Sequence, residues 1–337
     1  MTDDDDLFPD DFDELPPLPR AGADRRHLIE PADWLRFEAA LARALADAAM
    51  SVGRLDQMLA AMDRDARAGA TRRLALIEIE SMLWAQSTPL RREEIGRDLM
   101  EARADSDLDA MGLARWALRR LEGQGSLTDL RSFLALRRVD VAGLDDPVAP
   151  RPAGDDFDAA ATSFHEVMSR LQPLHPLSRA PAARIGWRLA EVSPPEDLVE
   201  AACWNGRAMA SGCEALAFVP LGRHGRAVWN DGAEQPERLA RHLAAVTAGT
   251  EEARLTLRRI ADWAEDARRR TATIKGDNPA RIIAALAAHP LMSTAMVETA
   301  AGTSRATAER LLARMYAQGV VREVTGTKRF RLWTAAA

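Results

Sequence analysis

Seven side chains near the C-terminus have the types and spacing to grip a polyanion. Ser304, Arg305, Thr307 and Arg310 fall within one short stretch, and Lys328, Arg329 and Arg331 within another. Guanidinium groups make paired hydrogen bonds to phosphate oxygens or guanine edges, ammonium groups hold phosphate as point charges, and hydroxyls contact either. From Pro279 to Ala337 there are eight basic residues against three acidic ones, while the whole chain of 337 residues carries a net charge of −6. This basic end departs locally from an acidic background, as a nucleic-acid footprint does. Arg268-Arg269-Arg270 and Lys275 extend it upstream, toward a linker at Gly276-Asp277-Asn278.

The elements that would position these groups read as a winged helix-turn-helix. Pro279 opens a short apolar helix through Ile282, Ile283 and Leu286, with proline where a first turn tolerates it. A second helix spans Met292 to Ala300, and Ala301-Gly302-Thr303 is a tight turn. Ser304 is a suitable N-cap for a third helix that stops at Gly319. Its inward face is Ala308, Leu311, Leu312, Met315 and Tyr316, which leaves Arg305, Glu309, Arg310 and Ala313 outward. Val320–Val324, a Thr325-Gly326-Thr327 turn and Lys328–Trp333 then form a β-hairpin. In its second strand Phe330 and Leu332 share one side, Arg329 and Arg331 the other.

The totals bound the rest. A chain of 337 residues with 47% apolar side chains and eight Trp can build about two cores. Cys203 and Cys213 are the only cysteines, which argues against a disulfide framework or a structural zinc site and for a reducing compartment. Aspartates stand where a signal peptide needs basic and apolar residues, and no apolar run approaches the ~18 residues of a membrane span. The expectation is a cytoplasmic protein with no membrane contact.

Residues 1–30 form a low-complexity head with eight acidic and no basic residues between Met1 and Glu14, then Leu15-Pro16-Pro17-Leu18-Pro19. Self-repulsion and proline make this segment disordered. An N-terminal helical domain follows over 31–145. Trp34, Phe37, Leu41 and Leu45 form one stripe, followed by Val52, Leu55, Met58 and Leu59 on a pattern running to Arg67. Further helices cover Thr71–Gln86, Arg91–Ala104 and Asp107–Leu121. The Pro- and Asp-rich stretch from Asp145 to Gly154 is the clearest linker. A second helical region spans 155–275, broken by prolines and by Gly222–Gly232, and 279–337 is the winged helix.

Two segments together carry a family resemblance. Gly302-Thr303-Ser304-Arg305 through Gly319, then Arg322-Glu323-Val324-Thr325-Gly326-Thr327-Lys328-Arg329-Phe330-Arg331-Leu332, resembles the C-terminal winged helix attached to many Fic-domain proteins. The order of helical N-terminal region, helical middle and this tail also resembles a family of uncharacterised proteins common on α-proteobacterial plasmids, with the same C-terminal helix-turn-helix. Active Fic enzymes resemble one another around a His-Pro-Phe-x-Asp/Glu-Gly-Asn-Gly-Arg-x-x-Arg loop. In it the histidine is a general base toward a target hydroxyl, the acid holds magnesium, and the glycines cradle phosphates. The nearest stretch here runs from His175 to Arg188: His175 and Pro176 match, Arg179 replaces the metal ligand, Ala180 and Ala182 replace glycines, and Pro181 replaces Asn. Arginine cannot coordinate magnesium, and proline lacks an N–H for phosphate. The resemblance thus implies a degenerate, inactive loop. The inhibitory helix of Fic proteins is similarly echoed by Leu76-Ile77-Glu78-Ile79-Glu80-Ser81, with Leu76 in place of Ser/Thr and Ser81 in place of Gly/Asn.

Other chemistry is weaker. His27, His165, His175, His224, His242 and His289 are scattered, with no Cys or carboxylate at metal-ligand spacing. Gly222-Arg223-His224-Gly225-Arg226 could grip a phosphate, but without a Gly-Lys-Ser/Thr sequel it reads as a turn between helices. Asn205-Gly206-Arg207 reads as a chance match, and the Trp residues as core.

The expected fold is therefore mainly α: a helical bundle with a degenerate Fic-like helical core and a C-terminal winged helix-turn-helix. The expected function is binding of double-stranded DNA by a homodimer, as a transcriptional regulator or plasmid-associated factor, without enzymatic activity, cofactor or metal. Ser304, Arg305, Thr307 and Arg310 would enter the major groove, and Lys328, Arg329 and Arg331 would hold the flanking backbone. The alternatives are Fic-type nucleotidyl (AMP) transfer to protein hydroxyls, with His175 as base, and a protein-interaction scaffold.

Overall fold

The computed structural model describes residues 25–99, 108–136, 151–229, 232, 234–326 and 331–337. The acidic head up to residue 24, most of the 145–154 linker, and Lys328, Arg329 and Phe330 of the wing lie outside the described residues.

A 3-10 turn at Arg25–Ile29 leads into α1 (Pro31–Ala40), α2 (Ala42–Ala60) and α3 (Arg64–Ala85). The third helix starts well before Thr71 because Asp63 caps it, accepting from Ala66 N at 2.8 Å. α4 (Arg92–Leu99), α5 (Leu108–Leu121) and the short α6 (Leu130–Leu134) follow. The second region supplies α7 (Gly154–Arg170), α8 (Pro176–Leu189), α9 (Val199–Met209), the single turn α10 (Arg226–Trp229) and α11 (Gln235–Thr271).

Two helices organise the body. α3 is central: Leu74, Ala75, Leu76, Ile79, Met82 and Leu83, with Gly69, Ala70, Arg73, Glu78 and Ser81, bury nearly its whole circumference, as a helix surrounded by others must. α11 is one continuous helix of 37 residues rather than several. Its first two-thirds bury Leu239, Leu243, Val246 and Leu257 in the main core against Val52, Leu55 and Leu59 of α2, with Ser51 and Thr250 hydroxyls 2.7 Å apart between them. Its last turns put Trp263, Ala264 and Ala267 into a second core shared with the C-terminal elements. At Gly249, α11 passes so close to the chain before it that an added Cβ would lie 2.5 Å from the Pro220 carbonyl oxygen.

The C-terminal unit consists of α12 (Asn278–Ala288), β1 (Met292–Ser293), α13 (Thr294–Ala301), α14 (Arg305–Ala317), β2 (Val321–Glu323) and β3 (Leu332–Ala335). The sheet is antiparallel in the order β1-β3-β2, with Met292 opposite Trp333 and Val321 opposite Ala335. The element order is the one expected of a winged helix, and the Ser304 cap and the Gly302 turn read from the sequence are both present. Ser304 accepts from Thr307 N, and Gly302 closes α13 with φ +57°.

Four local readings need correction. The second helix begins at Thr294, because Met292 and Ser293 pair with β3, and Ser293 caps the helix instead. Tyr316 is 56% exposed and stands edge-on to Trp333, so the inward face ends at Met315. In β3 all four residues are buried: Trp333 and Ala335 enter the C-terminal core although they share the side assigned to Arg329 and Arg331. A central strand is covered on both faces, so alternation fails there. Among the Trp residues, Trp84 is not core; it is 55% exposed, with the Arg226 guanidinium 4.3 Å from its ring centre.

Candidate functional site

The surface read as the DNA-contacting one is set by α14. Burial of Ala308, Leu311, Leu312 and Met315 against α13 and β2 leaves Arg305, Arg310 and Arg314 exposed to solvent. Ser304 and Thr307 are engaged with each other at the cap, Oγ to Oγ1 at 3.0 Å, and Arg305 pairs with Glu309 at 3.0 Å. Arg310 and Arg314 have no carboxylate partner among the described residues. Arg331 is exposed at the start of the described wing segment. The bundle docks on a different side: α12 packs on α3 and α11. Arg73 of α3 donates to the carbonyls of Leu286 and Ala287 at 3.3 and 3.1 Å. The interface is tight, for a Cβ on Gly69 would fall 1.4 Å from the Ala288 oxygen.

His175, the matching residue of the resemblance, is a helix cap. Its Nδ1 accepts from Leu177 N at 3.2 Å, and its backbone N–H donates to Glu38 at 3.0 Å. The ring titrates lower than usual because of partial burial, partly offset by Glu38. With Nδ1 accepting, the remaining nitrogen carries the proton, so no free lone pair points outward. Arg179, at the metal-ligand place, donates to the carbonyls of Gln172 and Leu174 and ties the α7–α8 turn. Arg207 likewise clamps the carbonyls of Gly123, Gln124 and Gly125.

What α3 does face is the glycine-containing stretch at Gly222–Gly225, a 3-10 turn between helices as its sequence indicates. Glu78 is buried, and its Oε2 accepts the backbone N–H groups of Leu221 and Gly222 at 3.0 and 2.6 Å. Burial pushes its carboxyl up to about 8 despite those two donors. Beyond it, His224 Nε2 lies 3.0 Å from Glu252, which also pairs with Arg223 at 3.1 Å. The sequence carried two separate signals here, the run Gly222-Arg223-His224-Gly225-Arg226 and Glu78 within Leu76–Ser81; neither pointed to the other.

On one side of Glu78 a cleft of about 540 Å³ opens between the bundle and the C-terminal sheet. On the other a cavity of about 10 Å³, the size of one water, is lined by Arg184, Asn205 and His242. Asn205 Oδ1 has no partner among the described residues, and neither nitrogen of the buried His242 makes a hydrogen bond of normal geometry. Burial and then the charge of Arg184 push His242 down to about 3. Among the described residues no three His, Cys, Asp or Glu side chains gather so as to hold a metal ion. No described helix is long and apolar enough to cross a membrane.

No family model matches the chain, and no curated protein matches it. Among solved structures it is similar to the crystal structure of a Fic family protein from Desulfovibrio desulfuricans G20. The match has 15% identity and a TM-score of 0.47, and covers 88% of this chain and 95% of that one. The mainly α class read from the sequence holds, and the similarity falls on a Fic family structure, as the resemblance implied. The expectation that the chain is not an enzyme is corrected by the same finding and is not held further. At that level of likeness no activity and no site residue is transferred.

Proposed function

We propose that this protein binds double-stranded DNA through its C-terminal winged helix, as a transcriptional regulator or plasmid-associated factor. The observation that carries this reading is the division of surfaces. α12 is held by α3 and α11, while α14 presents Arg305, Arg310 and Arg314 to solvent. The first turn of α14, with Ser304, Arg305 and Thr307, enters the major groove, and Arg310 reaches base edges or phosphate one turn on. Arg331, with Lys328 and Arg329 beside it in the sequence, holds the neighbouring backbone. So few phosphate contacts bind weakly and with steep salt dependence, so site-specific recognition requires two copies of the chain. The test is fluorescence anisotropy of the full chain on its own upstream DNA and on a scrambled duplex, at two salt concentrations. Tighter, salt-sensitive binding to the upstream DNA is expected. Equal failure on both duplexes would assign the winged helix to protein contacts instead.

A second reading is favoured by the His224–Glu252 pair. With Nε2–H directed at Glu252, the Nδ1 lone pair is left to take a proton from a protein hydroxyl, the role a general base fills in Fic-type nucleotidyl transfer. Labelled ATP with magnesium separates the two candidate bases: transfer lost in His224→Ala but kept in His175→Ala supports this reading, and no transfer by the full chain rejects it.

A further inference from the structure

The cleft between the helical body and the C-terminal sheet has a lining that calls for an anion. Six arginines line it, Arg73, Arg92, Arg223, Arg226, Arg259 and Arg322, against four glutamates, Glu78, Glu80, Glu93 and Glu252. The glutamates do not neutralise the arginines evenly. Arg92 leans on Glu80 and Glu93 at 3.4 and 3.9 Å, and Arg223 on Glu252. Glu78 is taken by the amides of Leu221 and Gly222. Arg259 of α11 and Arg322 of β2 have no carboxylate partner among the described residues. Arg73 is only 9% exposed and has no carboxylate partner either, and its Nε, like that of Arg226, is buried without a hydrogen-bond partner. A buried guanidinium N–H left unmatched is costly, and a planar donor fork suits carboxylate or phosphate oxygens.

The guanidinium groups without a carboxylate partner come from both sides of the cleft. Arg73 and Arg259 belong to the bundle, whereas Arg322 belongs to the sheet of the winged helix, where Thr334 of β3 also lines the wall. We propose that this cleft binds a small polyanion, bearing phosphate or carboxylate groups, that bridges Arg73 and Arg259 of the helical body to Arg322 of the winged-helix sheet. Such a molecule fastens the winged helix to the bundle through charge-assisted hydrogen bonds. It acts as an effector because Arg73 already holds the last turn of α12. The volume of about 540 Å³ admits a small metabolite-sized ion and excludes a nucleic-acid duplex.

The inference concerns a cleft with no residue of α14 in its lining and is tested without DNA. Isothermal titration of the full chain is run with inorganic pyrophosphate and, separately, with citrate. The Arg259→Gln/Arg322→Gln double variant runs beside them; both side chains are exposed, so the fold is retained. Saturable one-to-one binding of at least one probe, weakened tenfold or more in the double variant, is the expected result. Pyrophosphate alone assigns a phosphate ligand, citrate alone a carboxylate ligand. Arg310→Ala on α14 is expected to leave this binding unchanged, which keeps the result independent of the DNA reading. Absence of saturable binding by both probes, or equal binding in the double variant, overturns the proposal.

Discussion

Arg73 on α3 reaches the carbonyl of Ala287 at 3.1 Å, so a buried guanidinium of the helical body caps the last turn of the first winged-helix helix. Helix C-termini carry unpaired carbonyls and partial negative charge, and a cation placed there satisfies both. Burial, then the neighbouring charge of Arg92, pushes Arg73 down to about 10, yet it stays charged at neutral pH. Arg73→Met keeps the aliphatic stem and removes the cap. It is expected to destabilise the protein by about 1–3 kcal/mol and to raise amide exchange in α12 before the rest of the bundle. Uniform exchange changes along the chain would contradict a local cap.

Gly69 tests the same interface sterically. An added Cβ would overlap the Ala288 carbonyl, and backbone on both sides leaves little room to yield. Gly69→Ala is expected to cost about 1–3 kcal/mol and to make the α11–α12 junction more sensitive to limited proteolysis. A variant as stable as the parent would mean that α3 and α12 are not packed this closely in solution.

Glu78 gives a pH signature. Its folded-state value of about 8 is above the ordinary carboxylate value, so the folded protein holds this proton more tightly than the unfolded chain does. The stabilising effect of the proton is complete below the unfolded value and is lost as pH rises through about 8. Glu78→Gln, whose amide oxygen can still accept from Leu221 and Gly222, is expected to gain in Tm over the parent as pH goes from 5 to 9. Parallel Tm curves for the two proteins would sink the assignment.

His242 has the opposite sign. Its folded value, about 3, lies below the usual imidazole range, so the neutral ring is favoured by folding. That contribution is present above the unfolded value and is lost as pH falls toward 3. His242→Gln is expected to retain more of its stability between pH 6 and pH 4 than the parent, measured by thermal melts at each pH.

For the α14 surface, Arg310→Ala and Arg314→Ala each remove an exposed guanidinium without touching the core. Each is expected to weaken DNA binding, and each lost phosphate contact lowers the salt slope by about 1. Unchanged affinity in the double variant would place α14 away from the duplex.

His175 shows how far residue identity alone leads. The His-Pro pair was legible as a motif remnant, but the same pair is a good helix start, a side-chain acceptor followed by proline at the first helical position. The structure uses it in that way. Trp84 is a parallel case: its place on an apolar stripe suggested core, and only the stacking of Arg226 explains its exposure. Neither partner could be named in advance, because one lies on α1 and the other follows a turn far along the chain.

What the sequence determined by itself is local. Ser304 and Gly302 settle where α14 begins and α13 ends, because each satisfies backbone groups within a few residues. The helical patterns, the basic end and the mainly α class follow from periodicity and charge for the same reason. Tertiary structure decided the rest. Glu78 meets Gly222 across 144 positions and Arg73 meets Leu286 across 213. These pairs are polar groups that must find partners once burial removes water, and which partners they find depends on how the helices pack. The arginine-lined cleft arises in the same way: its six guanidinium groups come from α3, α4, the 222–226 turn, α11 and β2, and only the docking of the winged helix brings them to one space.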